Sequence, residues 1–243
     1  MLISKRIDII SNWIKDYADE KKFKLVVGVS GGIDSAVTSS LCARTNIKTI
    51  VVSMPIRQNE KQHNLSLEHI NWLKTKFSNI VDYTISLDNV FKSFQETMCE
   101  FKSELAFANS RSRLRMVTLY QVAQSNNALV VGTGNKVEDF GIGFYTKYGD
   151  GGVDISPIAD CTKNQVWEIG KEFGISKNIL DAKPTDGLWD DSRDDEEQIG
   201  LSYDQLEEAM SDSQSQFFEK YNKIRNPNLH KMNPIPICKF DEE

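Results

Sequence analysis

Several signatures of specialised protein classes are missing from this chain of 243 residues. No stretch approaches the roughly 20 consecutive apolar residues that a membrane-spanning helix needs. The first residues carry acidic side chains and lack the apolar segment and cleavage site of a signal peptide. We therefore expect a cytoplasmic protein without a membrane partner. The length suits one domain with a large core, and we expect a single domain over residues 1–243.

Cysteine and histidine are scarce, which argues against a disulfide scaffold and against a structural zinc site. The four cysteines are far apart and form no CxxC pair, so we expect buried or inert thiols: Cys42, Cys99, Cys161 and Cys238. Zinc sites need closely spaced ligands, and the chain has only three histidines. His63 and His69 fall in a predicted exposed helix, and we expect neither to act in chemistry.

Basic residues are outnumbered, because 29 Lys and Arg face 35 Asp and Glu, for a formal charge of −6. Nucleic-acid binding depends on basic surfaces, so we expect no nucleic-acid partner. A small anionic ligand remains compatible, because individual loops determine the local potential. The acidic run 190–198 is predicted to be a solvated surface loop, or alternatively a flap that closes over an active site.

Short apolar runs that end in glycine or proline alternate with segments of helical periodicity. We predict strands over residues 23–30, 47–55, 79–87 and 127–134, and a short extended stretch over 153–160. We predict helices over residues 3–19, 35–44, 59–77, 163–173, 176–181, 203–210 and 213–226, and two more within 88–126 that break near Ala106–Ser110. This alternation predicts an α/β fold, a doubly wound parallel sheet flanked by helices on both faces.

The clearest motif is the glycine-rich turn Ser30-Gly31-Gly32-Ile33-Asp34-Ser35, between a buried strand and a helix. Glycines let the backbone turn tightly and approach a ligand without a Cβ in the way. The following helix directs free N–H groups and its positive dipole end into the turn. The motif therefore predicts an anion site, to which two serine hydroxyls add donors.

Two details refine this prediction. The chain has no GxxxxGK[ST], so the turn is not the common nucleoside-triphosphatase loop. Asp34 would repel phosphate inside an anion pocket unless a magnesium ion lay between them. The alternative is a plain strand–turn–helix connection in which Asp34 only caps the helix.

SGGIDS after a buried strand resembles the loop of the pyrophosphate-loop ATPases, which cleave ATP between its α and β phosphates. Further segments resemble the NAD synthetases within that group, over residues 23 to 231. These are Arg111 to Met116, Gly132 to Glu138, Phe144 to Asp154, Leu188-Trp189, Asp194 to Gly200, Ser202-Tyr203 and His230-Lys231. The resemblance implies an adenine nucleotide alpha-hydrolase-like fold and ATP-dependent amidation of deamido-NAD by ammonia, the last step of NAD biosynthesis.

The resemblance also assigns roles to individual residues. ATP would be held by Gly28, Val29, Ser30, Gly31, Gly32, Ile33, Asp34, Ser35, Thr133, Lys163 and Thr185. Deamido-NAD would be bound by Arg113, Lys147, Asp154, His230 and Lys231. Asp34 and Glu138 would hold Mg²⁺. The family pattern further implies a homodimer with the dinucleotide near the subunit interface.

The chemistry of amide formation needs such residues. Adenylation joins two anions, the carboxylate and the α-phosphate, so cations must neutralise them. Lys163 is a candidate catalytic cation, or alternatively a solvated lysine that opens a helix. Arg113 suits a phosphate by its two-pronged geometry, or alternatively forms a surface ion pair. Asp154 could recruit ammonium and accept its proton, or alternatively caps a loop.

Other interpretations stay open at this point. Another pyrophosphate-loop enzyme, such as a GMP synthetase ATPase subunit or a tRNA-modifying enzyme, shares the loop. A non-catalytic adenine-nucleotide sensor shares the expected topology but needs no paired magnesium carboxylates. Glutamine-dependent members of the resembled family carry an additional amidohydrolase domain, and we expect none here because the loop strand begins near residue 24. The resemblance then implies free ammonia, or a separate glutaminase subunit, as the nitrogen source.

Overall fold

Four parallel strands form the central sheet of the computed structural model, which describes residues 1–185, 187–189 and 194–240. The strands are Lys24–Gly28 (β1), Thr49–Ser53 (β2), Ile80–Thr84 (β3) and Ala128–Val131 (β4), in the spatial order β3-β2-β1-β4. The chain thus runs outward from β1 to β3 and then returns to the other side of β1. Ligands of open α/β sheets bind at such a reversal, beyond the carboxyl ends of the strands. The loops that follow β1 and β4 meet there.

Helices cover both faces of the sheet. The helices are Ile3–Glu20 (α1), Ile33–Arg44 (α2), Glu60–Lys76 (α3), Asp88–Thr97 (α4), Glu104–Asn126 (α5), Lys163–Phe173 (α6), Lys177–Leu180 (α7), Asp195–Ile199 (α8), Tyr203–Ser211 (α9) and Phe218–Met232 (α10). A π-helix spans Lys136–Ile142. None of the helices in the described ranges is long and apolar enough to span a bilayer.

Side chains of the strands alternate between two apolar cores, as the period of two in a strand requires. Leu25 and Val27 pack with helices α1, α2 and α6, whereas Val26 packs with Phe91 and Ala123 on the opposite face. The predicted doubly wound parallel sheet is therefore confirmed. A third core joins the π-helix to α9 and α10 at the carboxyl edge of the sheet.

Three details of the predicted elements were wrong. The break within 88–126 lies between Thr97 and Glu104, not near Ala106–Ser110, because the Ser103 hydroxyl accepts a hydrogen bond from the N–H of Ala106 and caps α5. The last helix, predicted over 213–226, begins later, at Phe218, and continues past Pro227 to Met232, where the Lys231 ammonium donates to the carbonyls of Gly143 and Tyr145. The π-helix was not predicted. Of the acidic run 190–198, predicted to be a loop, residues 190–193 lie outside the described residues. Asp194 caps α8, and residues 195–198 lie within that helix.

His69 is buried, contrary to the prediction of an exposed bystander. It is 1% exposed, its Nε2 lies 3.0 Å from the Ser39 hydroxyl, and its ring stacks on Trp72. Helix α3 packs against both α2 and the sheet, so it has an inward face on which His69 lies with Leu73. His63 is half-buried, with Nδ1 3.4 Å from the Ser53 hydroxyl.

This burial predicts a pH-dependent stability. Burial lowers the pKa of His69 from 6.5 to about 4, so between these values only the unfolded chain takes up the proton. Stability is therefore lost as pH falls through that window, by about 2 kcal/mol between pH 7 and pH 5. His69→Gln, which retains a polar partner for Ser39, should remove most of that part of the pH dependence. Urea unfolding of both proteins at the two pH values checks it, and equal losses in both would contradict it.

Candidate functional site

The loops after β1 and β4 open into one cavity of about 590 Å³. All residues predicted to bind ATP line it: Gly28, Val29, Ser30, Gly31, Gly32, Ile33, Asp34, Ser35, Thr133, Lys163 and Thr185. Glu138 lines it as well. The structure thus brings together residues from four separate segments of the chain. Their individual roles toward ATP or a metal stay predictions.

The glycine-rich turn has the geometry of an anion cradle. Gly31 has φ +92°, and a Cβ there would lie 2.6 Å from the carbonyl oxygen of Gln62, so only glycine fits. Gly32 precedes α2 without a side-chain cap, which leaves N–H groups of the first helical turn available to a ligand. The Ser35 hydroxyl accepts from the N–H of Ser30 at 3.1 Å and donates to the carbonyl of Gly32 at 2.9 Å, which holds the turn closed.

Lys163 joins the two predicted metal carboxylates. Its Nζ lies 2.7 Å from Oδ2 of Asp34 and 2.8 Å from Oε1 of Glu138, and the residue is only 1% exposed. Thr162 begins α6 with a capping box and so fixes the direction of the lysine. The two alternatives considered above, a solvated Lys163 and an Asp34 that only caps its helix, do not fit these contacts.

The pKa values in this cluster follow from burial and charge. Burial alone would lower the pKa of Lys163, but the charges of Asp34 and Glu138 outweigh it and raise that pKa, so the ammonium stays protonated. Burial would raise the pKa of Glu138, yet Lys163 and the hydrogen bonds lower it. Burial and the neighbouring Glu138 charge raise the pKa of Asp34, and burial raises that of Asp139 well above its usual value. Asp34, Glu138 and Asp139 are three acids near one buried cation, Lys163, so this side of the cavity is able to accept another cation.

The donor set fits a phosphate-bound divalent cation. Among the described residues, no three His, Cys, Asp or Glu side chains converge closely enough to hold a metal ion by themselves. Magnesium does not need such a cage, because it keeps several waters and is bound through one or two carboxylates plus substrate phosphates. Asp34 in the first turn of α2 and Glu138 in the π-helix offer hard oxygen donors beside the anion cradle, which is the arrangement that this mode of binding needs.

Four of the residues predicted to bind substrate form a second cluster, outside the cavity lining. The Arg113 guanidinium donates to the carbonyl of Lys147 at 3.3 Å, and the Lys147 ammonium donates to the carbonyl of His230 at 2.7 Å. Lys231 donates to the carbonyls of residues 143 and 145, as described above. These contacts bind the 143–147 segment to α5 and α10. The alternative considered for Arg113 was a surface ion pair, and no carboxylate among the described residues forms one with it.

Asp154, predicted to be catalytic, lies apart from both clusters. Its carboxylate is exposed and accepts hydrogen bonds from the Tyr120 hydroxyl at 3.0 Å and from the N–H of Val130 at 2.8 Å. The second contact is the loop-capping role that was the alternative for this residue. The fold of this chain therefore does not bring Asp154 to the phosphate loop, and its role in ammonium capture stays a prediction.

Sequence reasoning missed two residues of the site, Asn135 and Tyr203. Fully buried Asn135 caps the π-helix through its Oδ1 and donates from Nδ2 to Oδ1 of Asp34 at 3.0 Å, so it ties the two acidic loops together. The available signal was its place three residues before the predicted metal ligand Glu138, within a segment that carries the resemblance. The Tyr203 hydroxyl donates to Glu138 at 2.6 Å across 65 positions, and no local pattern indicates that contact.

The fold and the site together define a nucleotide-binding α/β protein of the pyrophosphate-loop type. The family described as NAD synthase matches residues 6–234. A protein of Mesoplasma florum named NH(3)-dependent NAD(+) synthetase is 34% identical over 238 residues, which cover 96% of this chain and 93% of that protein. A protein of the same name in Thermoplasma acidophilum is 37% identical over 210 residues, with 86% and 83% covered.

A solved structure with a different name has the same fold. The NMN synthetase from Francisella tularensis superposes with a TM-score of 0.91 at 33% identity, covering 99% of this chain and all of that one. The chain belongs to the NAD synthase family. The prediction of a ligase that forms a carbon–nitrogen bond is thereby confirmed.

Proposed function

We propose that this member of the family couples ATP cleavage between the α and β phosphates to amidation of deamido-NAD by ammonia. The products are NAD, AMP and pyrophosphate. The observation that carries the proposal is the cavity in which an uncapped helix start and buried Lys163 lie beside Asp34 and Glu138. The names of the curated relatives support the same reaction and the use of ammonia.

The first half reaction uses the anion cradle. The N–H groups of the turn and of the first turn of α2 bind the phosphates, and the Lys163 ammonium stabilises the charge that develops during adenylation. Asp34 and Glu138 would hold Mg²⁺, which when bound neutralises phosphate charge and favours departure of pyrophosphate. The carboxylate oxygen of deamido-NAD bonds to the α-phosphorus while the bond to pyrophosphate breaks.

The second half reaction needs ammonia at the activated carbonyl. Ammonia attacks the carbonyl carbon, AMP leaves with one former carboxylate oxygen, and a proton must be accepted. Asp154, an exposed carboxylate, remains the candidate acceptor. A homodimer, a cytoplasmic location and a single domain over residues 1–243 belong to the same proposal. Arg113 and Asp154 are exposed and lie outside the cavity. A dinucleotide that extends past the phosphate site to reach them would lie at the surface of the chain, where a second subunit could cover it, and this supports the proposed dimer.

Asp154→Asn should lower turnover about tenfold or more, the effect of losing one general base or ammonium ligand, with little effect on the KM for ATP. The KM for ATP should be unchanged because the Asp154 side chain lies outside the cavity lining. The measurement is a steady-state titration of ammonium, deamido-NAD and ATP. Asp160→Asn is the control, because Asp160 is also an exposed acid in the same loop region. Wild-type turnover in the Asp154 variant would remove that residue from the mechanism.

A second candidate substrate is nicotinate mononucleotide. The observation that favours it is the high similarity to a structure named NMN synthetase, at 33% identity over nearly the whole chain. The reacting nicotinate carboxylate is the same in both substrates, and only the adenylate half of the dinucleotide differs. The phosphate loop, Lys163 and the acidic pair serve either substrate equally.

The proposal is tested with ATP, Mg²⁺ and ammonium in three parallel reactions. These contain deamido-NAD, nicotinate mononucleotide or xanthosine monophosphate. We expect AMP and amide in equal amounts with deamido-NAD. Faster AMP formation with the mononucleotide would establish the second candidate, and reaction of the xanthosine nucleotide would indicate a GMP synthetase. If none of the three substrates yields AMP, or if ADP is released instead, the assignment is refuted.

A further inference from the structure

Tyr203 contacts both Glu138 and Lys163, the charged pair at the centre of the site. Its hydroxyl lies 2.6 Å from Oε1 of Glu138 and 3.4 Å from Oδ2 of Asp195, so the single proton goes to the nearer carboxylate. Its ring face lies 4.8 Å from the Lys163 ammonium. The residue is 2% exposed, so both contacts are shielded from water. A charge-assisted hydrogen bond and a cation–π contact are strong in such surroundings.

The surrounding structure allows this side chain little freedom. Tyr203 is the first residue of α9, where Ser202 and Gln205 form a capping box, and its own N–H donates to Oε1 of Glu196 at 2.9 Å. Its ring packs edge-on against Trp167 of α6, the helix that Lys163 begins. Tyr203 is therefore attached to α8, α9 and α6 at the same time.

We propose that Tyr203 is a positioning residue of the ATP and metal site, which holds the Glu138 carboxylate in the orientation that a phosphate-bound divalent cation requires. The hydroxyl and the Lys163 ammonium both contact Oε1 of Glu138, so the other carboxylate oxygen would remain for the cation. The ring limits the movement of the lysine at the same time. The residue touches no reacting atom and acts through Glu138 and Lys163.

This inference rests on the proposed function, because the orientation of Glu138 matters only if a cation and phosphates occupy the cavity. It makes the metal site depend on residues outside the glycine-rich turn and the Glu138 segment. The helical segment 195–211 must pack against the π-helix for the metal ligand to be aligned. The affinity for the metal should therefore depend on a residue that is not a ligand.

Tyr203→Phe removes the hydroxyl and keeps the ring, so the core and the cation–π contact remain. Tyr221→Phe is the matched control, since Tyr221 lies in the same apolar core, 7% exposed, and donates its hydroxyl to the carbonyl of Gly141 instead of to Glu138. The direct readout is binding of Mn²⁺ in the presence of α,β-methylene-ATP, followed by electron paramagnetic resonance of the free ion. Thermal unfolding of each protein reports on folding.

We expect Tyr203→Phe to bind Mn²⁺ about tenfold more weakly, the size of one hydrogen bond to a charged group, and Tyr221→Phe to bind it like the wild type. The Mg²⁺ concentration for half-maximal AMP formation should rise by a similar factor, with the KM of the nicotinate substrate unchanged. Wild-type metal binding in Tyr203→Phe, or equal weakening in both variants, would overturn the proposal. If the wild type binds Mn²⁺ and the analogue but amidates no nicotinate substrate, the proposed function fails while the binding comparison still decides the role of Tyr203.

Discussion

Lys163→Met should reduce AMP formation about a thousandfold, because it removes the preorganised cation from the place where negative charge accumulates during adenylation. Methionine matches the lysine stem in length and keeps the packing against Trp167. The effect should appear in a single turnover with ATP labelled at the α-phosphate. Lys163→Arg retains the charge but places a larger group where lysine is 1% exposed, so we expect partial activity.

The same substitution should also lower the free energy of unfolding. It leaves Asp34 and Glu138, 18% and 15% exposed, without the cation that both contact. Removing one partner of a buried ion pair costs about 3–5 kcal/mol. Lys136→Met is the control, because that lysine forms an exposed pair with Asp160 and should affect neither quantity. A folded Lys163→Met protein with more than about a tenth of wild-type activity would contradict the catalytic role, since one lost electrostatic contact normally costs a hundredfold or more.

Glu138→Gln should lower turnover about a hundredfold at a fixed millimolar magnesium concentration, because a neutral amide is a much weaker ligand for a hard divalent cation. The shape of the side chain is retained, and the Tyr203 hydroxyl and the Lys163 ammonium can still donate to the amide oxygen. Folding should therefore change little, unlike in the Lys163 variant. The measurement is the magnesium dependence of AMP formation.

Saturation of the Glu138→Gln reaction should need about tenfold more metal, as expected when one of few carboxylate ligands is lost. Glu168→Gln is the matched control, since Glu168 is an exposed residue of α6, the helix that Lys163 begins. A wild-type magnesium profile in the Glu138 variant would show that this carboxylate does not bind the cation. A shift of the same size in both variants would indicate a general effect of surface charge.

The local parts of the site could be predicted from the sequence. The turn at Ser30 to Ser35 is recognisable because a buried strand precedes it and a helix follows it, which defines an anion site from neighbouring residues alone. The fold class follows from the alternation of strands and helices. The return of β4 to the side of β1 then brings Glu138 and Lys163 to the loop, although both are more than 100 positions from Asp34 along the chain.

The parts that depend on packing between distant segments could not be predicted. The contact of Tyr203 with Glu138 exists because α9 packs on the π-helix, and the period of the local sequence does not indicate that arrangement. Asp154 has the residue type of a proton acceptor, yet its contacts with Val130 and Tyr120 are visible only in three dimensions. His69 is different, because it lies four residues before Leu73, and that helical spacing was an available signal of burial that the prediction of an exposed helix missed.

The origin of the oxygen atoms in AMP tests the central claim most directly. Deamido-NAD labelled with ¹⁸O in the nicotinate carboxylate is converted with ATP, Mg²⁺ and ammonium, and the products are separated for mass spectrometry. An adenylated carboxylate requires one labelled oxygen in the phosphate of AMP and none in pyrophosphate. AMP without label, or label in inorganic phosphate, would show that the cavity around Lys163 does not activate the carboxylate by adenylation.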